Sequence, residues 1–487
     1  MFRFIWRNRA FFILIVLSGV YCAISYLVDD VSWFLVLGQR VLGGERPYID
    51  FFDPNPPAAI YLYLPAVLGE SWTGISAEAY VVALTILAAS SSVYYTAHLL
   101  RRYGAVAASA SLKLEVVAAF SVLLLPAHAF AEREHFALIG LLPYLAIAIV
   151  RIVGRVPAKS DRLIAGSVAG CALCLKPFFV LPALLVTLYL LHGNRRRPFA
   201  LLLSAENLAA IAVMAIYVIS ILRFMPGYFD VAVPQSLAIY GPSRKPLLMF
   251  LRCGGTVLLF ASMATLALAF RIGRANPLST VFTLAGLGFA AGYVIQGKGY
   301  PYHALPAVAL FLLAAVAVFT DGFQKGWLPK PIRGRERVVL AAAALSVGLA
   351  LVAEKAPLGY PDYFQIARNV SAAHPKVFAL TASLTGPFLA RHLNGVSVSY
   401  TASLYMSLRG AAMLQEPGLT SERYRQIQDS IRWDESLQMR SLAQKPDLLV
   451  ADEAGRQWAM ARPAVMAELR RYEVVGNSDG YTLLIRR

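Results

Sequence analysis

Long apolar stretches, each close to the length of a membrane-spanning helix, dominate this chain of 487 residues. A helix needs about 20 mostly apolar residues to cross a bilayer, because lipid offers its backbone no hydrogen-bond partners. Charged residues make up only 15% of the chain, and eleven stretches approach the required length. The sequence therefore predicts a polytopic α-helical membrane protein, in which the short fourth to sixth stretches could include a re-entrant pair. The stretches lie near 10–28, 78–100, 104–126, 136–150, 163–175, 177–191, 198–222, 247–270, 278–296, 302–320 and 336–354.

Basic residues are distributed over the chain in a pattern that indicates its orientation. Because Lys and Arg near helix ends are retained on the cytoplasmic side, their alternation predicts a cytoplasmic N-terminus and an outer loop after residue 28. The net charge of +17 is thus mainly a topology signal. Basic residues spread over helix ends do not favour nucleic-acid binding. They precede the first stretch and follow the second, fourth, sixth, eighth and tenth: Arg3, Arg7, Arg9, Arg101, Arg102, Arg151, Arg155, Lys159, Arg162, Arg195, Arg196, Arg197, Arg271, Arg274, Lys325, Lys330, Arg333, Arg335 and Arg337.

The N-terminus and the cysteines bear on processing and on redox chemistry. The first apolar run is long enough to span and lacks a clear small-residue cleavage site, so we predict that it is not removed as a signal peptide. Cys22, Cys171, Cys174 and Cys253 all fall in apolar stretches. This placement favours small packing residues over a disulfide framework or a zinc site.

The chain changes character after about Glu354, where hydropathy falls. We expect residues 1–354 to form a transmembrane catalytic module, with an outer loop at 29–77 that contains juxtamembrane helices. Residues 355–487 are expected to form a small soluble α/β domain on the outer side, which is periplasmic or extracellular. Its predicted elements are strands at Lys376–Leu380 and Asp447–Ala451, helices at Pro387–Leu393 and Ala464–Arg471, and a terminal hairpin of 472–475 with 481–485 joined by 476–480.

Two acids, Asp29 and Asp30, stand where the first apolar stretch ends. Loss of water at that boundary raises the cost of charge, so a carboxylate there needs either a partner or a function. A raised pKa would suit a general base, which works best near the operating pH. Glu45, Asp50 and Glu70 in the same outer loop are each expected to be ordinary solvated residues.

The second outer loop contains Glu132, Arg133 and Glu134, at one end of the fourth stretch. These residues are either further catalytic acids with a neighbouring cation or a local ion pair that caps the helix, and the sequence favours neither. Lys176 lies between two apolar stretches, where a buried ammonium costs several kcal/mol unless it meets a counter-charge or reaches the outer surface.

The outer end of the ninth stretch gathers a Lys, a His and two tyrosines. An interfacial aromatic belt explains Tyr300 and Tyr302, but it does not explain Lys298 and His303. With Arg133 and Lys176, they would place several cations and a histidine at one depth of the membrane.

Such an arrangement suits the displacement of a lipid-linked phosphate. A sugar on a polyprenyl phosphate keeps its tail in hydrocarbon and its head at the surface. The departing phosphate needs only positive charge to stabilise it, which Arg133, Lys176, Lys298 and His303 would supply. The acceptor hydroxyl must lose its proton to a carboxylate on the opposite face of the sugar, with inversion at the anomeric carbon.

The segment from Asp30 through GQRVLGGERPYIDFFDPNPPAAIYLYL resembles the first outer loop of the GT-C glycosyltransferase superfamily, in the branch of protein O-mannosyltransferases and the aminoarabinose transferase of lipid A. The resemblance extends to AEREHF, LKPFF, GKGYPYHALP and the C-terminal soluble domain. It implies a polyprenyl-phosphate-sugar donor and a multi-pass enzyme of the bacterial inner membrane. The acceptor it implies is an envelope glycan such as lipid A core or O-antigen, another lipid, or a protein.

The resemblance also implies roles for single residues. Counting back from Gln39-Arg40-Val41-Leu42, the catalytic acid of the family falls on Asp30 rather than Asp29, although Val31 stands where the family has Glu. Asn55 stands where many relatives have Lys, so that phosphate contact would pass to the cations named above. No cofactor is predicted, and the metal site of some GT-C enzymes is left out because this branch is similar to metal-independent ones. Further substrate contacts are expected at Asp53, Asn55, Tyr300 and Tyr302.

Two other classes compete with this prediction. A lipid-linked-glycan flippase or other transporter would more often show paired inverted segments and broken helices at mid-membrane, whereas the unusual polar residues here lie at one face. Glu206 and Asn207 are the exception, and we expect them to form a packed polar contact rather than an ion pathway. An O-antigen polymerase or ligase would use a donor that carries a chain of sugars instead of one.

Overall fold

The computed structural model describes residues 9–106, 108–193, 198–322, 342–344, 348 and 360–487. These residues divide into two compact units. The eleventh predicted stretch, 336–354, lies outside the described residues except for four positions. The basic residues predicted at 3, 7, 195–197 and 325–337 lie outside them as well.

The helices before residue 323 follow one another with short connections. Four of them begin with proline, whose fixed φ suits the first helical turn. In chain order they are α1 (Arg9–Ile24), α2 (Asp29–Leu42), α3 (Pro57–Tyr61), α4 (Leu64–Thr73), α5 (Ala77–Arg102), α6 (Ala108–Leu123), α7 (Arg133–Ile152), α8 (Lys159–Leu173), α9 (Val180–Gly193), α10 (Pro198–Leu202), α11 (Ala205–Phe224), α12 (Val233–Gln235), α13 (Leu247–Leu251), α14 (Gly254–Ile272), α15 (Pro277–Gln296) and α16 (Pro301–Gly322).

Six described helices are long and apolar enough to cross a membrane: α5, α7, α11, α14, α15 and α16. The pair α1 and α2 would add a seventh if counted as one broken span, but the two helices meet at 80°. We therefore treat α1 as membrane-embedded and α2 as the juxtamembrane helix that follows it. Helices also form at the predicted stretches 104–126, 163–175 and 177–191, but they are only 16, 15 and 14 residues long. The predicted polytopic helical fold is confirmed.

The first unit consists of the described residues of Met1–Ser25, Val81–Ile219 and Lys245–Pro357. Its central helix, α7, is buried on all sides, and so its sequence is apolar all round rather than on one stripe.

Helices α8 and α11 approach closely because Gly166 and Gly170 face α11 with no side chain between the backbones. A Cβ added at Gly166 would lie 2.1 Å from the carbonyl oxygen of Glu206. This spacing of two small residues is a common device for helix contact in membranes.

The polar residues of α11 are packed against neighbouring helices of the same unit. The Arg151 guanidinium lies 2.5 Å from the carboxylate of Glu206. The hydroxyl of Tyr144 donates to Oδ1 of Asn207 at 2.7 Å. The prediction of a packed polar contact at Glu206 and Asn207 is therefore confirmed.

The second unit consists of Tyr26–Tyr80, Ser220–Arg244 and the described residues of Leu358–Arg487. Two π-helical turns, Tyr228–Ala232 and Ser236–Tyr240, flank α12 in its middle segment. The C-terminal segment adds α17 (Asp362–Val370), β1 (Lys376–Leu380), α18 (Thr385–His392), β2 (Val396–Ser397), α19 (Tyr405–Met413), α20 (Ser421–Ala443), β3 (Leu448–Asp452), α21 (Glu453–Met460), α22 (Pro463–Leu469), β4 (Tyr472–Ser478) and β5 (Tyr481–Arg486).

The five strands form one sheet in the order β2-β1-β3-β5-β4. Strand β1 runs parallel to β2 and β3, whereas β5 is antiparallel to both β3 and β4. Alternate residues of β1 enter different cores: Val377 and Ala379 pack with Phe388, whereas Phe378 and Leu380 pack on the other face with Trp458. Helices thus cover both faces, which explains why β1 is a continuous apolar run rather than an alternating one.

The terminal hairpin has a tighter turn than the sequence predicted. Strand β4 continues to Ser478, and only Asp479 and Gly480 join it to β5. Both turn residues have positive φ, 54° and 80°, as the favoured two-residue hairpin turns require. The predicted loop at 476–480 was therefore three residues too long.

The first and last segments of the second unit are joined by specific contacts. The Arg391 guanidinium binds the carboxylates of both Glu70 and Glu78, at 2.7 and 2.8 Å. The amide of Phe52 donates to the carbonyl of Tyr400 at 2.8 Å. The outer loop 29–77 and the C-terminal sheet therefore form one folded body. The boundary predicted after residue 354 falls among residues that are not described, and it stays a prediction.

Candidate functional site

A buried polar cluster lies in the first unit, where α7 begins and the chain breaks after α8. Glu132 is the N-cap of α7, and its carboxylate accepts a hydrogen bond from the amide of Arg133 at 3.3 Å. Lys176 is extended, with φ −152° and ψ 141°, because the following Pro177 excludes a helical conformation. Lys176 therefore lies in a non-helical break between α8 and α9.

Lys176 has the counter-charge that its burial requires. Its Nζ donates to Oε1 of Glu134 at 2.5 Å and lies 3.3 Å from Nε2 of His303. The same carboxylate oxygen is 3.3 Å from that His303 nitrogen. All three side chains are buried, and they come from three separate parts of the chain. The structure thus brings together three predicted site residues.

The predicted cations Arg133 and Lys298 belong to the same cluster. His303 interacts electrostatically with Lys176, Arg133 and Lys298. Arg133 is only 2% exposed and Lys298 7%, so water screens neither charge well. Lys176 pairs with Glu134 and Arg133 lies 3.8 Å from Glu132, and with Lys298 these five side chains carry a formal charge of one positive unit. A buried excess of this sign favours an anionic ligand.

The turn between α15 and α16 places Lys298 beside two stacked tyrosines. The turn depends on Gly299, whose φ is +73° and where a Cβ would lie 2.5 Å from Sγ of Cys253. The rings of Tyr300 and Tyr302 stack with centroids 5.5 Å apart. Nζ of Lys176 lies 5.9 Å from the Tyr302 ring centroid, so the tyrosines border the charged cluster.

Polar atoms remain available within the cluster. Among the described residues, Oε2 of Glu134 and Nδ1 of His303 are buried and have no hydrogen-bond partner. An unsatisfied buried polar atom costs about 1–3 kcal/mol, so these atoms favour a bound water or ligand.

The acids of the first outer loop lie in the second unit. Asp29 and Asp30 occupy the first turn of α2, where the helix dipole favours negative charge. Burial, together with the charge of Asp30, raises the pKa of Asp29 to about 7. Asp29 also interacts electrostatically with Tyr26 and with Tyr363 of the C-terminal segment. Asp29 is therefore protonated in part at neutral pH.

Asp53 and Asn55 shape the loop that follows α2. The Asp53 carboxylate accepts hydrogen bonds from Nε1 of Trp33 at 2.7 Å and from the amide of Asn55 at 2.8 Å. The hydroxyl of Tyr48 donates to the carbonyl of Asn55 at 2.7 Å. These contacts give Asp53 a part in holding the loop, and substrate contacts by Asp53 and Asn55 stay predictions.

Sequence reasoning missed several residues around these groups. Lys245 is an additional cation near the tyrosines, with Nζ 5.8 Å from the Tyr300 ring centroid. Its position 55 residues before Tyr300 gave no signal of this contact. The partnership of Trp33 with Asp53 was equally hidden, since an indole donor can serve any nearby acceptor. In the described part of the chain, no group of three His, Cys, Asp or Glu side chains is arranged to hold a metal ion.

Comparison with known proteins shows which solved structures share this fold. No protein-family model and no curated protein sequence matches the chain. Among solved structures, ArnT from Cupriavidus metallidurans bound to undecaprenyl phosphate aligns with 98% of this chain and 97% of that chain, at a TM-score of 0.55 and 14% identity. This chain has an ArnT-like fold. ArnT from the same organism in the apo state aligns with 99% of this chain and 98% of that chain, at a TM-score of 0.55 and 12% identity.

ArnT is a GT-C glycosyltransferase, so the resemblance that the sequence motifs indicated is confirmed at the level of the fold. The match to ArnT covers both units of this chain, including the C-terminal sheet. At 14% identity, the roles of single residues rest on the contacts of this chain rather than on the alignment with ArnT.

Proposed function

We propose that this protein is an inverting glycosyltransferase that moves a sugar from a polyprenyl-phosphate donor to an envelope glycan, lipid or protein. The buried cluster of Arg133, Lys176 and Lys298, with its excess of positive charge, carries the proposal. Support comes from the fold, because the ArnT structure with the same architecture holds undecaprenyl phosphate.

The cluster is suited to a phosphate that must be released. Arg133 and Lys298 would bind the phosphate oxygens, and the unpartnered Nδ1 of His303 would donate a further hydrogen bond. Glu134 is engaged by Lys176, so its role is to hold that cation in place rather than to accept a proton. Charge that is fixed in advance stabilises the leaving group without reorganisation during the reaction.

The remaining step is removal of the acceptor proton, which we assign to Asp30. The acceptor oxygen forms a bond to the anomeric carbon while the bond from that carbon to the phosphate oxygen breaks. The proton passes to the carboxylate, and polyprenyl phosphate leaves as the anion. Asp29 and Glu132 are reserve candidates for the base, and Tyr300, Tyr302, Asp53 and Asn55 are assigned to substrate contacts.

We propose that the reaction takes place on the periplasmic face of the bacterial inner membrane, with the N-terminus in the cytoplasm. The support is the distribution of basic residues at helix ends. Arg101 and Arg102 lie in the last turn of α5, Arg151 in the last turn of α7 and Arg271 in the last turn of α14. All of these would be cytoplasmic in that orientation.

The test is release of polyprenyl phosphate from a monosaccharide-linked donor by the full-length protein in nanodiscs. The wild-type protein is expected to release it when an envelope extract supplies the acceptor. Asp30→Asn is expected to lower the rate by at least about 1000-fold, because an amide cannot accept the proton.

The matched control is Asp50→Asn, an acid-to-amide change in the same loop. Asp50 pairs with Arg46, and the two side chains are 31% and 68% exposed. The control should keep its activity. Absence of release by the wild-type protein would point to a transporter and contradict the proposal. Equal loss in both variants would contradict the assignment of Asp30.

A further inference from the structure

A short apolar helix, α13, lies directly before a helix that is long enough to cross a membrane. Helix α13 ends at Leu251, and α14 begins at Gly254. Because so short a connection spans at most about 11 Å, α13 lies near the depth at which α14 enters the bilayer. With five residues it is far too short to span, so α13 belongs to the membrane boundary.

Most of the apolar side chains of α13 face outward. Phe250 is the exception, since its ring packs on that of Tyr293 in the first unit with centroids 5.2 Å apart. The outward side chains are Leu247, Leu248, Met249 and Leu251, which are 73%, 61%, 60% and 42% exposed. At the boundary of a bilayer, the partner that covers such an apolar side is the acyl chains of lipids.

Two cations flank this apolar side. Lys245 precedes α13 and Arg252 follows it, and both are exposed. Nζ of Lys245 lies 3.3 Å from Sγ of Cys253, but a thiol is only a weak acceptor. Within the described ranges, neither cation pairs with an acid, so both charges are available to a ligand.

Tyr300 indicates the depth of Lys245 in the membrane. Its ring centroid lies 5.8 Å from Nζ of Lys245, and the tyrosine is 38% exposed. The amide of Lys245 also donates to the carbonyl of Gly297 at 3.0 Å, in the turn that carries Tyr300. Tyrosines are enriched where a membrane meets water. Lys245 therefore lies at the level of the lipid headgroups.

Retention of cations on the cytoplasmic side does not account for both ends of α14. Arg252 stands before this helix, whereas Arg271 lies in its last turn and Arg274 follows it. Only one end of a spanning helix can be cytoplasmic, so this rule explains only one of the two groups. In the orientation proposed above, Lys245 and Arg252 are the pair that it leaves unexplained. A ligand of opposite charge would explain them.

We infer that α13, Lys245 and Arg252 form a binding surface for an anionic phospholipid of the membrane. The acyl chains would cover the outward side of α13, and the cations would bind the charged headgroup. Apolar side chains bordered by cations are the combination that holds anionic lipids at a membrane surface. This surface goes beyond the proposed function, because it requires neither a donor nor an acceptor sugar.

The test compares phosphatidylglycerol with phosphatidylcholine of the same acyl chains, titrated into full-length protein in detergent and followed by native mass spectrometry. The wild-type protein is expected to bind phosphatidylglycerol about tenfold more tightly, because each cation near a lipid surface contributes about fivefold. Lys245→Gln combined with Arg252→Gln should weaken phosphatidylglycerol binding about 10- to 25-fold for the same reason. Its phosphatidylcholine binding should be unchanged, which shows that the apolar side is intact. If this double variant does not fold, Arg252→Gln alone should weaken phosphatidylglycerol binding about fivefold.

Two control variants separate this surface from other sources of charge. Lys445→Gln combined with Arg470→Gln removes two exposed cations of the C-terminal segment. Lys298→Met removes a cation of the cluster proposed for the donor phosphate. Both controls should bind phosphatidylglycerol as the wild-type protein does. The inference is overturned if the wild-type protein binds the two lipids equally, if loss of Lys245 and Arg252 leaves the affinity unchanged, or if either control loses as much.

Discussion

Nζ of Lys176 lies 2.5 Å from Oε1 of Glu134, and both side chains are buried. Each charge compensates the other where neither has access to bulk water. Their attraction offsets a desolvation cost of several kcal/mol per ion, so the pair is stable only when complete. The pair therefore fixes a cation at the proposed phosphate site without leaving an isolated charge in the membrane unit.

Removal of one partner of this pair should destabilise the protein strongly. We expect Lys176→Met or Glu134→Gln to lower the free energy of unfolding by about 3–5 kcal/mol, because each leaves a buried group without its partner. The combined variant should lose less than the sum. Thermal unfolding in nanodiscs measures the three effects, and strictly additive losses would show that the two side chains do not interact.

Loss of a cation from the cluster should weaken binding of the lipid phosphate. Arg133→Met and Lys298→Met should each raise the dissociation constant for undecaprenyl phosphate about 10- to 100-fold, as expected for a charge-assisted hydrogen bond. Lys159→Met, on the exposed first turn of α8, is the matched control and should leave it unchanged. Binding can be followed by microscale thermophoresis. Equal effects of all three changes would indicate only a general dependence on net charge.

The pKa of Asp29, raised by burial and by Asp30 to about 7 from 3.8, predicts a specific pH dependence of stability. The folded protein holds this proton more tightly than the unfolded chain, so the contribution of Asp29 falls as pH rises from about 4 to 7. Asp29→Asn should therefore be more stable than the wild-type protein at pH 8, by about 2 kcal/mol once partial exposure is allowed for.

The difference should disappear near pH 4, where both proteins carry a neutral side chain at this position. Melting temperatures at pH 4, 6 and 8 test the sign. If Asp29→Asn were less stable than the wild-type protein at pH 8, Asp29 would have to be a paired anion, and the assignment of its proton would be wrong.

Arg391 should be the strongest single contact between the first and last segments of the second unit. Burial opposes ionisation of Glu70, but the hydrogen bond and charge of Arg391 outweigh it and lower the pKa of Glu70. Arg391→Leu should cost about 2–4 kcal/mol of stability, because Glu70 and Glu78 would then repel each other without a cation. Arg456→Leu removes an exposed pair with Glu453 and should cost less than about 1 kcal/mol. Similar losses in chemical denaturation would contradict this ranking.

The sequence predicted the fold class because its signals are local. Twenty apolar residues in a row exclude most alternatives to a spanning helix, and the apolar run of β1 identified a buried strand. The parallel order of β1, β2 and β3 could not be predicted, since β2 has only two residues and carries almost no pattern. The break between α1 and α2 agrees with the predicted end of the first stretch at residue 28, whereas its angle of 80° could not be predicted from hydropathy.

The candidate site could be predicted only where its residues stand in an unusual local sequence, as Lys176 does between two apolar stretches. A lysine such as Lys176 between two apolar stretches is costly, so the sequence predicted either a counter-charge or access to the outer surface. The structure shows the counter-charge. The identity of this partner could not be predicted, because Glu134 is 42 residues away and other acids were equally available. Contacts that join distant segments, such as Trp33 with Asp53, leave no periodic trace in the sequence.

The second unit consists of three segments that are far apart in the chain and are therefore synthesised at different times. Helix α2, which carries Asp30, emerges early, whereas α18, against which it packs, is synthesised near the end. A partly translated chain thus has the carboxylate but no completed surroundings for it. If Asp30 is the base that we propose, sugar transfer would have to wait until the C-terminal segment has been synthesised and has folded against α2.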